Sequence, residues 1–299
     1  MPRRALSATE LLFAAVALHV CTLAGASAEE ADSEGCDKTQ YTLFNPTPRA
    51  CMREFEPDHP DQTSNPFTID AGHIEPETTL FSYLRSARDK EGAVRDEFVF
   101  GSTDIRIGIF NNFEIGVDVS PYNIVDTHFE GTSAEDREVG PDAIGLETKF
   151  NLYGNDSFER PGSTSLAVLT DVEIPSGSGV SEDDVEGSVA FPFAIKFSAT
   201  DDLEVMTKYD FIKNEEGSGY HVEYFNSGSF SHNWTPKFST YFEVATRFGN
   251  EDPSGGIVDI GVGAAYQPDD NTQFDCGMNI GVTATADPIN PFFGVVKRF

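Results

Sequence analysis

Long hydrophobic runs are scarce in this 299-residue sequence, and after residue 28 none reaches the roughly 18 residues that a membrane-spanning helix needs. Hydrophobic residues make up only 39% of the chain, which excludes a bundle of membrane helices. Basic residues are scarce too, with 20 Lys and Arg against 50 Asp and Glu. Nucleic acid is bound by basic surfaces, so the charge balance argues against nucleic acid as a partner.

Cysteine is also rare, with four residues in the whole chain. Cys36 and Cys51 lie close together in a polar stretch, and we predict that they form a disulfide if the chain is exported to an oxidising compartment. Cys276 falls at an outward position of a later predicted strand and is expected to behave as a small hydrophobic residue. One disulfide and one inert thiol would account for the odd number of cysteines in the mature chain.

The first 28 residues have the features of a secretory signal peptide. Two arginines precede an apolar stretch over residues 11–23, and a small-residue cleavage site follows at residues 26–28. The mature chain is therefore expected to begin near Glu29. A lipoprotein anchor at Cys21 is an alternative, although Val20 stands where a small residue would be expected before a lipidated cysteine.

The acidic surplus is spread along the mature chain. Without the predicted signal peptide, 49 acidic residues stand against 18 basic ones, a formal charge of −31. Two explanations remain open. The acid attracts cations to a pore, or it keeps the protein soluble in a saline habitat.

Apolar and polar residues alternate along most of the mature chain, most regularly over residues 103–119. Isoleucines at 105, 107 and 109 alternate with Asp104, Arg106 and Gly108, and the alternation resumes after Asn111-Asn112. Side chains of a strand point alternately to its two faces, so one face is apolar and the other is charged. The apolar face meets either a second sheet in a soluble sandwich or lipid in a transmembrane barrel.

The same alternation predicts about twelve strands. Short turns alternate with long acidic or glycine-rich loops, one of them over residues 123–139, which is the arrangement of outer-membrane barrels. Only the connection over residues 153–162 is long for a turn. We therefore favour an all-β fold, an antiparallel up-and-down transmembrane β-barrel, over a sandwich. The predicted strands cover residues 68–84, 103–110, 113–119, 143–152, 164–174, 188–197, 203–211, 220–231, 238–248, 258–266, 274–282 and 292–299.

Three regions follow from these patterns. Residues 1–28 are the signal peptide, residues 29–66 form a periplasmic N-terminal extension, and residues 67–299 form the outer-membrane β-barrel. The extension contains five prolines and no strand alternation, and a short helix is expected over residues 49–55. It lies at the barrel mouth, enters the lumen, or is only loosely attached.

Several short motifs are distributed along the mature chain. NPTPR at residues 45–49 is followed by Met52-Arg53, by DHPDQT at residues 58–63, and by IDAGH at residues 69–73. Together with residues 219–223 and 290–294, these motifs resemble an outer-membrane transporter family named for the meta pathway of phenol degradation. The family has Arg where His59 stands here. The resemblance spans nearly the whole mature chain and implies an outer-membrane β-barrel without indicating a substrate.

The final residues are similar to the signal that the outer-membrane assembly machinery recognises. Phe299, Val295 and Phe293 conform to it, whereas Lys297 does not. We expect this strand to bind that machinery, and the barrel to contact outer-membrane lipid and lipopolysaccharide of a Gram-negative bacterium.

Charged residues on the predicted polar face form the candidate site. Burying so many charges in dry protein is costly, so they are expected to line a hydrated or ion-paired lumen through which small solutes, hydrophobic or aromatic compounds among them, move passively. The alternative is a non-conducting structural or surface-binding barrel that acts through its acidic loops. The predicted lumen-lining residues are Arg106, Glu114, Asp118, Glu147, Lys149, Asp171, Glu173, Lys196, Glu204, Lys208, Asp210, Glu243 and Arg247.

No enzymatic signature stands beside these charges. No serine has a local nucleophile motif, and the acidic loops lack the spacing of a calcium-binding loop. The sequence therefore predicts no catalytic residue, no cofactor and no metal site.

Overall fold

Strands dominate the computed structural model, which describes residues 36–89, 92–129, 135–181, 183–214, 218–249 and 256–299. The predicted signal peptide, its cleavage site and Cys21 lie outside the described residues. Fifteen strands are present in these ranges. They are β1 (Ile74–Arg85), β2 (Ala93–Phe100), β3 (Ser102–Phe110), β4 (Phe113–Val119), β5 (Tyr122–Phe129), β6 (Glu135–Gly140), β7 (Ile144–Tyr153), β8 (Thr164–Ile174), β9 (Glu186–Lys196), β10 (Asp201–Lys213), β11 (Tyr220–Thr235), β12 (Phe238–Gly249), β13 (Ile257–Asp269), β14 (Thr272–Gly281) and β15 (Asn290–Lys297).

Twelve of these strands form a closed antiparallel barrel. Its order is β1-β3-β4-β7-β8-β9-β10-β11-β12-β13-β14-β15, and β15 pairs with β1 to close the ring, with Glu77 opposite Val296. Closure leaves no unpaired edge in the ring, as a membrane-spanning sheet requires. The predicted antiparallel barrel of twelve strands is confirmed.

The three remaining strands extend the barrel wall. Each continues a strand of the ring after a short break. β2 is separated from β3 by Gly101, β5 from β4 by residues 120–121, and β6 from β7 by residues 141–143. They pair with one another and with the end of β1. The expected loop over residues 123–139 was therefore wrong, because its polar residues pair across strands that project beyond the barrel ring.

The start of the first strand also differs from the expectation. The sequence pattern placed it at residue 68, but β1 begins at Ile74, because residues 67–70 are buried inside the barrel. Gly72 makes the turn between this buried stretch and β1, with a φ of +80° that other residues rarely adopt. The expected helix over residues 49–55 is reduced to a 3-10 turn, Arg49–Cys51, because the amide of Arg53 bonds to the Asp70 carboxylate instead.

The distribution of side chains is inverted relative to a water-soluble protein. Outward positions are apolar and exposed, such as Leu146 at 46% and Phe242 at 48%. Inward Arg106, Lys149 and Glu243 are all 0% exposed. An apolar outer band suits contact with lipid. Within the described ranges, no helix has the length and apolar character needed to cross a membrane.

The two ends of the barrel differ in their connections. We call one the turn end, because it carries the connections over residues 111–112, 197–200, 236–237 and 270–271. The longer connection at residues 154–163 lies at the same end. The opposite end, with the strand extensions and the other connections, is called the loop end.

Candidate functional site

Residues 53–73, here called the lumenal segment, lie inside the barrel against its inner wall. Phe55, Phe67 and Ile69 are buried there, at 5 to 6% exposure. Backbone of the segment packs directly onto Gly108 of β3, where any β-carbon would collide with the carbonyl oxygen of Asp70. The segment therefore occupies the part of the lumen nearest the turn end, and the glycine makes its close approach possible.

Arg106 is the centre of the first anchor between the segment and the wall. It donates hydrogen bonds to Glu114 at 2.8 Å, to Glu77 at 2.6 Å and to the carbonyl oxygen of Phe67 at 3.0 Å. Asp58 of the segment lies 2.5 Å from the ammonium of Lys149 and 3.3 Å from Arg106. Buried charges require such partners, so this network fixes the segment in one position.

A second anchor lies across the lumen, on β11 and β12. The hydroxyl of Thr63 donates to Glu243 at 2.5 Å and lies 2.8 Å from the hydroxyl of Ser227. The amide of Gln62 donates to the same carboxylate at 3.2 Å, and Ser229 donates to Asp61. The segment is thus attached to opposite sides of the barrel.

His59 makes a third attachment, to the strands where the barrel closes. Its Nδ1 lies 2.8 Å from Asp275, and its Nε2 lies 3.0 Å from the hydroxyl of Thr79. A β-carbon at Gly294 would lie 2.7 Å from the His59 ring, so the imidazole also needs a glycine beneath it. His59 therefore connects the lumenal segment to an acidic residue of the wall.

The long connection at residues 154–163 holds the beginning of the segment at the turn end. Asp156 accepts hydrogen bonds from Lys38 at 2.7 Å, from Arg53 at 3.1 Å and from Asn111 at 2.6 Å. Burial acts to raise the pKa of Asp156, but Arg53, Asn111 and Lys38 outweigh it and hold the pKa below its ordinary value. The unusual length of this turn is explained by its contacts with the N-terminal residues.

Cys36 and Cys51 form a disulfide in the structure, with their Cα atoms 5.8 Å apart. The bridge closes the polar stretch that precedes the lumenal segment. Cys276 is a free, exposed cysteine on the outer face of β14, opposite Phe293 of β15.

Beyond the segment, towards the loop end, the lumen contains a cavity of about 570 Å³. Gln62 and Ser64 of the segment line one end, and Asn123 of the extension β5 and Asp142, which follows β6, line the other. Cavities of about 300–1,000 Å³ are typical of small-molecule sites. The acidic residues of its wall are Asp104, Asp118, Asp142, Glu147, Asp171 and Glu173, and its basic residues are Lys208 and Arg247.

The thirteen predicted lumen residues divide into three groups. Those that contact the lumenal segment or lie near it are Arg106, Glu114, Lys149, Glu243 and Glu204. Those that line the cavity are Asp118, Glu147, Asp171, Glu173, Lys208 and Arg247. Lys196 and Asp210 pair with wall neighbours, Asp202 at 3.4 Å and Lys208 at 2.9 Å.

Several residues of the site were missed by the sequence reasoning. Glu75 and Glu77 were overlooked because the faces of the first strand were ambiguous, and Asp58 and Asp61 because an irregular segment has no periodic pattern. The cavity also has an apolar strip, made of inward residues of β8 to β11, that the expectation of a charged lumen did not include. It consists of Leu169, Ala190, Met206 and Phe225.

In the described part of the chain, no group of three or more His, Cys, Asp or Glu side chains has an arrangement that could hold a metal ion. His73, which the sequence left unassigned, lies 2.7 Å from the carbonyl oxygens of both Thr47 and Phe299. It therefore connects the N-terminal residues to the end of the last strand.

Comparisons with known proteins agree with this architecture. The model of the family described as "Putative MetA-pathway of phenol degradation" matches residues 57–299. No curated protein sequence matches the chain.

Two solved structures show similarity in fold. An outer membrane channel from Pseudomonas putida F1 is 10% identical with a TM-score of 0.61, and the match covers 82% of this chain and 100% of that one. The translocator domain of the autotransporter NalP from Neisseria meningitidis is 10% identical with a TM-score of 0.50, covering 81% of this chain and 90% of that one. At such identities the similarity shows the barrel fold alone.

Proposed function

The chain belongs to the family described as "Putative MetA-pathway of phenol degradation", and on that premise we propose that it is an outer-membrane channel that moves small solutes passively through its lumen. The observation that carries the proposal is the 570 Å³ cavity inside a barrel whose outer wall is apolar. A structural barrel needs no chamber of that size. Solute enters this chamber, and no catalytic step takes part in its passage.

The residues that line the cavity favour aromatic or hydrophobic compounds as the transported solutes. Phe225, Met206 and Leu169 offer an apolar surface within a lumen whose other walls are polar. The description of the family, which names phenol degradation, supports aromatic solutes, and that of the Pseudomonas putida F1 protein supports the role of an outer membrane channel. An N-terminal signal peptide exports the protein to the periplasm of a Gram-negative bacterium, and the Phe299 strand directs its assembly into the outer membrane, where it contacts lipid and lipopolysaccharide.

The lumenal segment restricts the passage. It is attached to the wall through Arg106, Lys149, Glu243 and Asp275. These same attachments favour the rival function, a non-conducting barrel that acts through its acidic loops. Electrical recording distinguishes the two.

The test is single-channel recording of the purified protein in a planar bilayer, after the heat-dependent shift in gel mobility has shown that the barrel is folded. We expect discrete currents from the wild type. Thr63→Val removes the hydroxyl that bonds Glu243 and Ser227, so the current should rise as the segment loosens. Thr170→Val makes the same change on the outer wall, where Thr170 contacts Thr148, and should leave the current unchanged.

Folded protein that gives no current, with or without the Thr63→Val substitution, would establish the rival function. Equal increases in the two threonine variants would show that the lumenal segment is not the restriction.

A further inference from the structure

The cavity has two chemically different sides. Six carboxyl groups lie on β3, β4, β7 and β8 or at the break before β7, whereas the apolar strip follows β8 to β11. A purely charged ligand would leave the apolar strip uncovered, and a purely apolar ligand would leave the carboxyl groups without a partner. The ligand that complements both sides therefore has one charged end and one hydrocarbon end.

Two glycines bring the acidic side chains together in pairs. A β-carbon at Gly116 would lie 3.1 Å from Asp104 Oδ1 and 3.1 Å from Glu147 Cβ. A β-carbon at Gly145 would lie 3.0 Å from Asp118 Cβ and 3.3 Å from Asp171 Oδ2. Each glycine stands between two acids, so no side chain separates the members of a pair.

The first pair lacks hydrogen-bond donors. Asp104 Oδ1 and Glu147 Oε1 are buried, and neither accepts a hydrogen bond from any described residue. Buried polar atoms usually have partners, because leaving them unpaired is costly. Both residues are half-buried and line the cavity, so a ligand there can contact the exposed part of each side chain.

Among the described residues, neither basic residue of the cavity forms an ion pair with Asp104 or Glu147. Lys208 lies 2.9 Å from Asp210, and its ammonium is 5.8 Å from the centre of the Phe225 ring. Arg247 lies over the same ring at 5.7 Å. The acids of the opposite wall therefore outnumber the nearby cations, and the missing partner is a cation supplied by the ligand.

We propose that the cavity binds amphipathic organic cations, small amines with an aromatic or aliphatic body. The ammonium group lies between Asp104 and Glu147, and the hydrocarbon body covers Leu169, Met206 and Phe225. This assignment deepens the proposed channel function, on which its role in transport rests. An inorganic cation would leave the apolar strip uncovered, and a neutral aromatic compound would leave the acid pair unsatisfied.

The test is isothermal titration calorimetry of the folded protein in detergent with three matched probes: 2-phenylethylammonium, 2-phenylethanol and 3-phenylpropionate. All three share the phenyl ring and differ in charge. We expect the ammonium probe to bind at least about tenfold more tightly than the alcohol, since it supplies the donors and the positive charge that the acid pair lacks, and the anion to bind most weakly.

Variants locate the binding. Asp104→Asn with Glu147→Gln should weaken the ammonium probe about tenfold and leave the alcohol unchanged. Met206→Ser should weaken both probes, because it removes apolar surface. The matched control is Asp136→Asn with Glu138→Gln, which also removes one Asp and one Glu charge, from exposed positions of β6 outside the cavity. It should change neither affinity.

Equal affinities for the ammonium and the alcohol, or no saturable binding of the ammonium, would overturn the proposal. An equal loss in the control variant would do the same, because the effect would then come from overall charge. If the acid-pair variant fails to fold, Met206→Ser and the comparison of probes decide the matter. Calorimetry needs no conduction, so binding without channel current would contradict the proposed function and leave the site intact.

Discussion

The ion pair of Asp58 and Lys149 is a principal attachment of the lumenal segment to the barrel wall, and its energy shows how strongly the segment is held. The two charged atoms are 2.5 Å apart, and the Lys149 side chain is 0% exposed. Asp58 also lies 3.3 Å from Arg106, and Lys149 lies 3.7 Å from Glu114. Each member of the pair therefore keeps one further partner when the other member is removed.

A double-mutant cycle isolates this contact. Removing one member of a buried ion pair costs about 3–5 kcal/mol when the other charge is left alone. Because each remaining charge keeps a second, more distant partner here, we expect Lys149→Met and Asp58→Asn each to lower the free energy of unfolding by about 3 kcal/mol. The double variant should be less destabilised than the sum, by a coupling energy of about 2 kcal/mol.

The assay is urea unfolding of the protein in lipid vesicles, followed by the fluorescence of Trp234, the single tryptophan of the chain. The matched control is the pair Lys213 and Asp184, whose charged atoms are 2.8 Å apart but whose side chains are 29% and 48% exposed. Exposed pairs contribute about 0–1 kcal/mol, so its coupling should be at most about 0.5 kcal/mol. A coupling for Asp58 and Lys149 no larger than the control would refute the account of the segment as an anchored element.

Three further outcomes are expected. Gly108→Ala should destabilise the fold by about 1–3 kcal/mol, measured by urea unfolding, because its β-carbon collides with the backbone of Asp70; unchanged stability would mean that the segment does not pack there. Cys36→Ser with Cys51→Ser should leave the barrel folded but make the chain around these positions susceptible to limited proteolysis, detected by mass spectrometry against the unmodified chain. The pKa of Asp156 is lower in the folded protein than its unfolded value of about 3.9, so the stabilisation it provides is present above that pH and is lost as the pH falls through the folded pKa. Asp156→Asn should therefore make the unfolding free energy less dependent on acid pH. Identical pH profiles for the variant and the wild type would contradict the contacts of Asp156.

The barrel was predictable from local pattern. β3 and β4 match the expected hairpin closely, because isoleucines at alternate positions and a two-residue turn specify both the faces and the register. The extensions β5 and β6 were missed because polar and apolar residues mix on both faces, as Ile124 and Asp126 do on one face of β5. A strand outside lipid needs no apolar face, so periodicity gives no signal there.

The contents of the lumen were not predictable in the same way. Alternation placed Arg106, Lys149 and Glu243 on the inner face, where the structure has them. Their partners in the lumenal segment come from far along the chain, since Asp58 and Lys149 are 91 residues apart. Such contacts depend on the three-dimensional path of an irregular segment, which no short-range pattern encodes.

The apolar strip was missed for a different reason. Met206 occupies the same face of β10 as Lys208 and Asp210, and sequence reasoning assigned that face to charge alone. Its neighbour Phe225 lies on β11, whose pattern is weak. Only the assembled barrel shows that these residues lie at one level and face one cavity.

The most direct test of a conducting lumen is to block it chemically. Ser188→Cys places a thiol on the cavity wall, whereas the native free thiol of the described chain, Cys276, lies on the outer face. A charged methanethiosulfonate reagent added during single-channel recording should lower the current of Ser188→Cys and leave that of the wild type unchanged. A current that is unaffected in Ser188→Cys, after mass spectrometry shows that the thiol was modified, would contradict passage through this cavity.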